Sequence, residues 1–262
     1  MLCERTPLDI FAFPPLTLLL DAAYSALLSI STILEPIAGS AAAALAVMVV
    51  TVGVRATLIP VGVSQARAEQ MRARLAPRLR ALQQRHGKDR ERLQRETITL
   101  YRDENASPLA GCLPLAVQAA IVGVLYTLFL RTEVAGHPNA LLAHDLIGAP
   151  LGESLLMAAG TGLDAPSGIV WAVVLVIMII VADVTRRAFR PPVPSEGPWA
   201  HPGMLGMLNG VHYLTAVFAV FVPLAAALYL VVTVTWTLGQ RWLLRRRYPL
   251  PTAPGGAAAG PA

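Results

Sequence analysis

Arg55 is a cation inside an apolar run that is long enough to cross a bilayer as a helix. It is the charged residue of 41–63, and near the centre of a span a cation costs about 2.5–3.5 kcal/mol on insertion scales. Such a residue normally faces a partner or a water-filled cavity. The alternative is an arginine that snorkels to one membrane face. A guanidinium at low dielectric attracts carboxylates strongly, so the chemistry predicted here is electrostatic capture of an acidic group.

Among the polar residues within the apolar runs, three are candidates to line a groove with Arg55. Thr51 precedes Arg55 by one helical turn and shares its face, while Gln118 and Tyr229 lie in later runs. Each alone has a structural explanation, namely a threonine bonded to its own helix, a glutamine between helices and a tyrosine in an interfacial belt. Together they predict a hydrophilic groove lined by Arg55, Thr51, Gln118 and Tyr229, which would suit an acidic segment of another chain.

The sequence contains no pattern typical of an enzyme. There is no P-loop, GxSxG or HExxH motif, and the loop pair His144-Asp145 is more typical of a structural contact. Cys3 and Cys112 offer no framework for a disulfide or a metal ion. We therefore predict no catalytic residue, no metal site, no cofactor and no specific nucleic-acid site.

Composition indicates a polytopic membrane protein. The 262 residues are 55% hydrophobic and 14% charged, with a mean hydropathy of +0.57. Soluble domains carry about 25% charged residues. The low charge therefore excludes an ordinary soluble domain.

The positive charges are concentrated in three segments. Of 21 Lys and Arg residues, 18 fall in 64–107, 183–206 and 241–247. Since cytoplasmic segments are enriched in Lys and Arg, these three segments are predicted to be cytoplasmic. An odd number of spans then places the N-terminus and residues 131–167 outside and the C-terminus inside.

Five spans satisfy this arrangement. Pro223 divides the apolar stretch 204–240, because proline ends or kinks a helix, and one span there would separate two basic segments. The predicted fold is an all-α polytopic membrane protein with five transmembrane helices around a hydrophilic groove. The spans are 41–63, 108–130, 168–184, 206–221 and 224–241, joined by an outer loop at 131–167 and a cytoplasmic loop at 185–205, with a cytoplasmic tail at 242–262 that is disordered from about 249.

Residues 1–40 are predicted to form an outer segment with an interfacial amphipathic helix. Within 8–34 the apolar side chains follow helical spacing, while Asp21 and Ser25 lie elsewhere on the helical wheel. A sixth span is the alternative.

The segment 64–107 is predicted to be a cytoplasmic helical hairpin. It carries a net charge of +5, from 11 basic and 6 acidic residues. The break falls at 86–89, where Asp89 is suited to capping the second arm, and Pro77 should bend the first. The hairpin either anchors topology or binds anionic partners such as lipid headgroups; its 44 residues favour the second.

These motifs, taken in order, resemble the YidC/Oxa/Alb3 family of membrane protein insertases, in the small form without a large outer domain. The resemblance covers about 41–247 and includes LYRDENASPLAGCLPLAVQ, the run that begins at Leu100. Arg55 matches the groove arginine of the family, and His144-Asp145-Leu146 is similar to its outer-loop motif. The other matching positions are Pro60, Pro108, Gly111, Cys112, Pro114, Gln118, Pro223, Tyr229 and Gln240.

The resemblance implies insertion of membrane proteins without ATP, alone or beside the Sec translocon. Arg55 would draw acidic residues of a substrate into a groove that opens to cytoplasm and lipid. The implied partners are nascent membrane proteins, with the Sec translocon, the ribosome and the signal recognition pathway as further candidates and anionic lipids at the basic hairpin. The implied location is the plasma (inner) membrane of a bacterium.

The sequence departs from the family pattern at several points. Gly39-Ser40 replaces the usual Gly-Trp, Leu230 replaces a common aromatic, and the second cytoplasmic loop is rich in proline. Two alternatives therefore remain, a small transporter or channel for an anionic solute and an assembly factor without insertase activity.

Overall fold

The computed structural model describes residues 14–87, 89–104, 133–134, 137–189 and 210–249, together with seven separate helical positions between 119 and 129. These residues are mostly helical. They belong to two compact units. The first comprises the described parts of 1–56 and 121–238, and the second those of 57–120 and 239–262.

Two helices with a short turn between them form the start of the described chain. Helix α1 (Pro14–Ala38) is followed by a 3-10 turn at Gly39–Ala41 and by α2 (Ala42–Thr57). Gly39 has φ +53°, which favours glycine because it has no Cβ. The conformation of Gly39 therefore accounts for the separation of α1 from α2.

The inner face of α1 is apolar and its outer face is mixed. Leu20 and Leu27 are buried in the main core, while Asp21 and Ser25 are exposed. This matches the helical spacing predicted for 8–34. Residues 1–13 lie outside the described part of the chain.

The cytoplasmic hairpin of the sequence analysis corresponds to two helices. Helix α3 (Ile59–His86) and helix α4 (Arg90–Asp103) meet at a short turn. The predicted cap is present, since the Asp89 carboxylate accepts a hydrogen bond from the Arg92 backbone N–H at 3.0 Å. An ion pair between Arg78 and Glu104 joins the two arms.

Residues 133–161 contain two short hairpins and a short helix, which the all-α prediction did not include. Strand β1 (Glu133–Val134) pairs with β2 (His137–Pro138), and β3 (Asp145–Leu146) pairs with β4 (Ala149–Pro150), both antiparallel. A 3-10 turn at Ala140–Ala143 separates the hairpins, and α5 (Leu155–Thr161) follows them.

The turn of the second hairpin has an unusual conformation. Ile147 and Gly148 have φ of +53° and +83°, as two-residue hairpin turns require, although a β-branched residue rarely adopts it. The Asp145 carboxylate accepts a hydrogen bond from the Gly148 N–H at 2.9 Å. Asp145 of the His-Asp-Leu motif therefore stabilises this turn.

The remaining helices are α6 (Ala165–Ala188), α7 (Leu214–Ala219, preceded by a 3-10 turn at Val211–Tyr213) and α8 (Leu224–Arg247). The loop before α5 holds the start of α8. The Leu224 and Ala225 N–H groups donate to the carbonyls of Glu153 and Leu151, at 2.9 and 3.0 Å. These bonds satisfy helix-terminal donors that would otherwise have no partner within the helix.

The core of the first unit combines small residues on α2 and α8 with larger side chains from the other elements. Ala43, Ala44 and Ala46 are buried on α2, as are Ala225–Ala227 on α8, and they belong to one cluster with Trp171 of α6. Small side chains allow helices to approach closely, which is typical of packing in membranes.

Two helical stretches of the described residues are long and apolar enough to cross a bilayer. They are Leu20–Thr57, of 38 residues, and Ala165–Ala188, of 24 residues. The first includes α1, the turn and α2, and the second is α6.

Candidate functional site around Arg55

Arg55 lies in the last turn of α2 and is half-buried. Its Nη2 atom is buried and has no hydrogen-bond partner among the residues that the structure describes. A fully snorkelled guanidinium would expose both terminal nitrogens. The buried Nη2 is instead a charged donor that would gain free energy from an acceptor, because burying a polar group without a partner is unfavourable.

Thr51 lies one turn before Arg55 on α2 and is 2% exposed. Its hydroxyl donates to the Val47 carbonyl at 2.6 Å. The Thr51 oxygen can therefore interact with another group only as a hydrogen-bond acceptor. The Thr51 hydroxyl therefore donates to its own helix, which is the structural explanation for a threonine in an apolar run. Lining of a groove by Thr51 stays a prediction.

Tyr229 is 4% exposed and belongs to the same buried cluster as Val47 of α2. One turn later on α8, Thr233 has a buried Oγ1 atom without a partner in the described part of the chain. Thr237 follows and donates to the Thr233 carbonyl at 2.7 Å. Polar groups therefore line one face of α8, at four-residue spacing in the sequence.

Several predicted positions lie outside the described residues. They are the groove residue Gln118 and the motif residues Pro108, Gly111, Cys112 and Pro114. The structure gives no placement for them, and their roles stay predictions.

The other motif prolines lie at helix starts. Pro60 is in the first turn of α3, where its missing N–H costs no helical hydrogen bond. Pro223 is buried immediately before α8 and forms an antiparallel bridge with Ser154. Both positions use proline where the helix tolerates it.

Contacts between the start of α3 and residues 240–249 were not predicted from the sequence. We call them the α3–α8 clasp. Gly62 lies against the Gln240 carboxamide, Glu69 pairs with Arg245 at 3.4 Å, Gln70 donates to the Pro249 carbonyl at 3.0 Å and Arg67 donates to the Tyr248 hydroxyl at 3.3 Å. The partners are more than 170 residues apart in sequence, so local patterns could not indicate the pairing.

Charge also shapes the clasp. The hydrogen bond from Arg67 lowers the pKa of the Tyr248 hydroxyl below its usual value, against the smaller opposing effect of desolvation. The Arg67 guanidinium lies over the Tyr248 ring at 5.6 Å from its centroid, which adds a cation–π contact. The clasp thus joins close packing of Gly62 against the Gln240 carboxamide to charged contacts further along.

Replacing Gly62 with leucine is expected to destabilise the clasp by about 1–3 kcal/mol, the usual cost of overpacking. A Cβ at this position would overlap the Gln240 carboxamide. Hydrogen exchange in the first turns of α3 and the last turns of α8 measures the effect. In the double variant with Gln240→Ala, protection should partly return.

Gly53→Leu is the matched control, because nothing lies within 4 Å of a Cβ built on Gly53. Equal loss of protection in both leucine variants would contradict the packing argument.

Comparison with known proteins identifies the family. The model of the 60Kd inner membrane protein family matches residues 33–251, which is most of the chain. The chain belongs to this family. The resemblance drawn from Arg55 and the LYRDENASPLAGCLPLAVQ run is therefore confirmed.

Curated relatives carry a common name, "Membrane protein insertase YidC". The protein of Mycolicibacterium paratuberculosis is 31% identical over 232 residues, covering 76% of this chain and 65% of the relative. That of Bordetella petrii is 28% identical over 202 residues, covering 77% and 31%. That of Alkalihalophilus pseudofirmus is 36% identical over 97 residues, covering 34% and 38%. The chain thus spans about one third to two thirds of the length of these relatives.

Family membership and the two apolar helical stretches together make this a membrane protein.

Proposed function

We propose that this protein is an insertase and chaperone that moves hydrophobic segments of nascent proteins from the cytoplasm into the bilayer without ATP. One observation carries the proposal, the buried and unpartnered Nη2 of Arg55 in a chain of the 60Kd inner membrane protein family. The names of the relatives support the same activity.

In the proposed mechanism Arg55 captures a carboxylate in the outer segment of a substrate. The carboxylate oxygens accept hydrogen bonds from the guanidinium, which supplies the acceptor that Nη2 lacks. The adjoining apolar segment then partitions into lipid, and this transfer is favourable by about 0.8 kcal/mol for each CH₂ that is buried. Hydrophobic transfer therefore drives the process, and Arg55 lowers the cost of carrying a charged segment into the membrane.

We propose five spans, with the N-terminus outside and the C-terminus cytoplasmic. The stretch Leu20–Thr57 would measure about 57 Å as one straight helix, which exceeds the hydrocarbon core of about 30 Å. The turn at Gly39–Ala41 divides it. We therefore assign α2 as the first span and α1 to the outer interface, with α6 as the third span.

The hairpin of α3 and α4 is proposed to receive substrates and to contact anionic lipid headgroups. Its arginines are largely exposed, as the pair Arg95–Glu91 illustrates with side chains 78% and 84% exposed. Exposed basic residues are attracted to anionic surfaces within a Debye length. The Sec translocon, the ribosome and the signal recognition pathway are proposed as further partners.

Depletion of the protein tests the proposed activity. A single-span substrate with a short acidic outer tail should remain on the cytoplasmic side, since its tail carries charge that lipid alone excludes. In inside-out membrane vesicles, where an inserted tail lies in the lumen, protection of the tail from added protease measures insertion, and re-expression of the wild-type chain should restore it.

Normal insertion of this substrate after depletion of the protein would contradict the proposed activity. An assembly factor would leave insertion intact and impair only later complex formation. Anion flux into liposomes that is abolished by Arg55→Ala would indicate a transporter instead.

A further inference from the structure

A cavity of about 240 Å³ lies within the first unit, and its lining includes Thr237 of α8 but not Arg55, Thr51 or Tyr229. Helix α6, the turn before α7, α7 and α8 form its walls. Most of the lining is apolar, and it includes Met178, Val181, Ala216, Val234 and Leu238.

Two nitrogen atoms at the cavity and beside it are buried without partners among the described residues. They are Nδ1 of His212, which lines the cavity, and Nε of Arg186, the neighbour of the lining residue Thr185. Arg186 Nε is always a donor, and Nδ1 of a histidine can be one. Each would gain from an acceptor oxygen, because a buried donor without a partner is costly.

The nearby carboxylate is already engaged. Asp183 accepts from Arg186 Nη2 at 2.8 Å, from Arg187 Nε at 2.7 Å and from the Tyr213 hydroxyl at 3.2 Å. Two arginines around one carboxylate leave a net charge of +1. The cluster therefore has both free donor capacity and an excess positive charge.

These features select one class of ligand. A free phosphate would pair with the donors but leave the apolar walls unused, and an apolar molecule would leave the donors unpaired. A phospholipid satisfies both, because its phosphodiester has two non-bridging oxygens and its acyl chain is apolar. The excess positive charge of the cluster favours an anionic phospholipid, whose headgroup carries no cation to cancel the phosphate charge.

We propose that this cavity binds an anionic phospholipid, with the phosphate at Arg186 and His212 and part of one acyl chain between α6, α7 and α8. The depth of the headgroup rests on the proposed topology, in which the last turn of α6 is at the cytoplasmic surface. The site is separate from Arg55 in the proposed mechanism and would hold a structural lipid.

Thermal unfolding of the purified full chain in detergent tests the proposal. Phosphatidylglycerol should raise the Tm more than phosphatidylcholine with the same acyl chains, and inorganic phosphate should have little effect. In Arg186→Gln the affinity for phosphatidylglycerol should fall about tenfold or more, as expected for a lost charged hydrogen bond.

Arg187→Gln is the matched control. Its side chain is 69% exposed, compared with 30% for Arg186, and it contacts the same carboxylate. This variant should retain most of the affinity. Ala216→Phe should fill the cavity and abolish binding, and Thr215→Phe does the same from a less buried position if the first variant does not fold.

Equal stabilisation by both lipids would overturn the proposal, as would equal loss in Arg186→Gln and Arg187→Gln. Full stabilisation by inorganic phosphate would overturn the role of the acyl chain. Arg55→Ala should keep phosphatidylglycerol binding. Loss of insertion in that variant and loss of lipid binding in Arg186→Gln are thus separate outcomes.

Discussion

Arg55→Ala is expected to reduce insertion of a substrate with an acidic outer tail by roughly 10- to 100-fold. The range corresponds to about 1.5–3 kcal/mol for a hydrogen bond to a charged group, at 1.4 kcal/mol per tenfold. The physical reason is the buried Nη2 atom, which has no acceptor among the described residues until a carboxylate arrives. Initial rates of tail protection from protease in reconstituted vesicles measure the change.

Substitutions at the same position separate charge from geometry. Arg55→Lys keeps the charge but loses the planar fork of donors, so it should retain most of the activity if charge alone matters. Arg55→Gln keeps a donor without the charge and should resemble alanine. A substrate whose tail carboxylates are replaced by amides should be inserted at the same rate by the wild-type protein and by all three variants.

Arg187→Ala is the matched control for loss of one positive charge. Its side chain is 69% exposed on α6, outside the hairpin that is proposed to receive substrates, and surface ion pairs contribute little. Insertion by this variant should be close to wild type. If Arg187→Ala and Arg55→Ala slow insertion equally, a general electrostatic effect replaces the specific role of Arg55.

The sequence predicted the elements that depend on local patterns. Proline before α8, the Asp89 cap and the apolar face of α1 were each visible as a residue type at a helical position. Arg55 was visible for a similar reason, because one charge in an apolar run is conspicuous. The chemical role of a residue could therefore be suggested wherever its immediate neighbours made it unusual.

Contacts between distant segments could not be predicted in this way. The clasp joins Glu69 to Arg245, and the polar cluster joins Asp183 to Tyr213. Arginine occurs four times in 241–247, so nothing in the sequence selects Arg245 as the partner of Glu69, and no local pattern pairs Asp183 with Tyr213. The packing of the helices determines these partners, and local sequence patterns do not show which helices pack together.

Asn139 is the clearest case of a residue whose importance only the fold reveals. It is 6% exposed, and its side-chain amide bonds to two backbone groups of neighbouring segments. Its Nδ2 donates to the Leu128 carbonyl at 2.7 Å, and its Oδ1 accepts from the Leu141 N–H at 3.2 Å. The next residue, Ala140, donates its N–H to the Tyr24 hydroxyl at 3.1 Å. Residues 139 and 140 are thus tied to two other parts of the first unit, at Leu128 and at Tyr24 of α1.

Asn139→Ala is expected to destabilise the protein by about 2 kcal/mol, because it leaves a buried carbonyl and an N–H without partners. That corresponds to a fall in Tm of roughly 4–8 °C for a chain of this size. Asn139→Asp should be more severe, since a carboxylate oxygen would face the Leu128 carbonyl and a buried charge would lack a partner. Thermal unfolding in detergent measures both.

Asp164→Asn, which replaces an aspartate with an asparagine, is the control for Asn139→Asp. Asp164 is exposed and makes no side-chain capping bond at the start of α6, so its replacement should change stability by about 0.5 kcal/mol or less. A Tm for Asn139→Asp that equals the wild-type value would show that the Leu128 carbonyl finds another donor. If the Tm falls in both Asn139→Ala and Asn139→Asp, and falls further in Asn139→Asp, stability depends on the donor at Nδ2. That result would support the hydrogen bond from Asn139 to the Leu128 carbonyl.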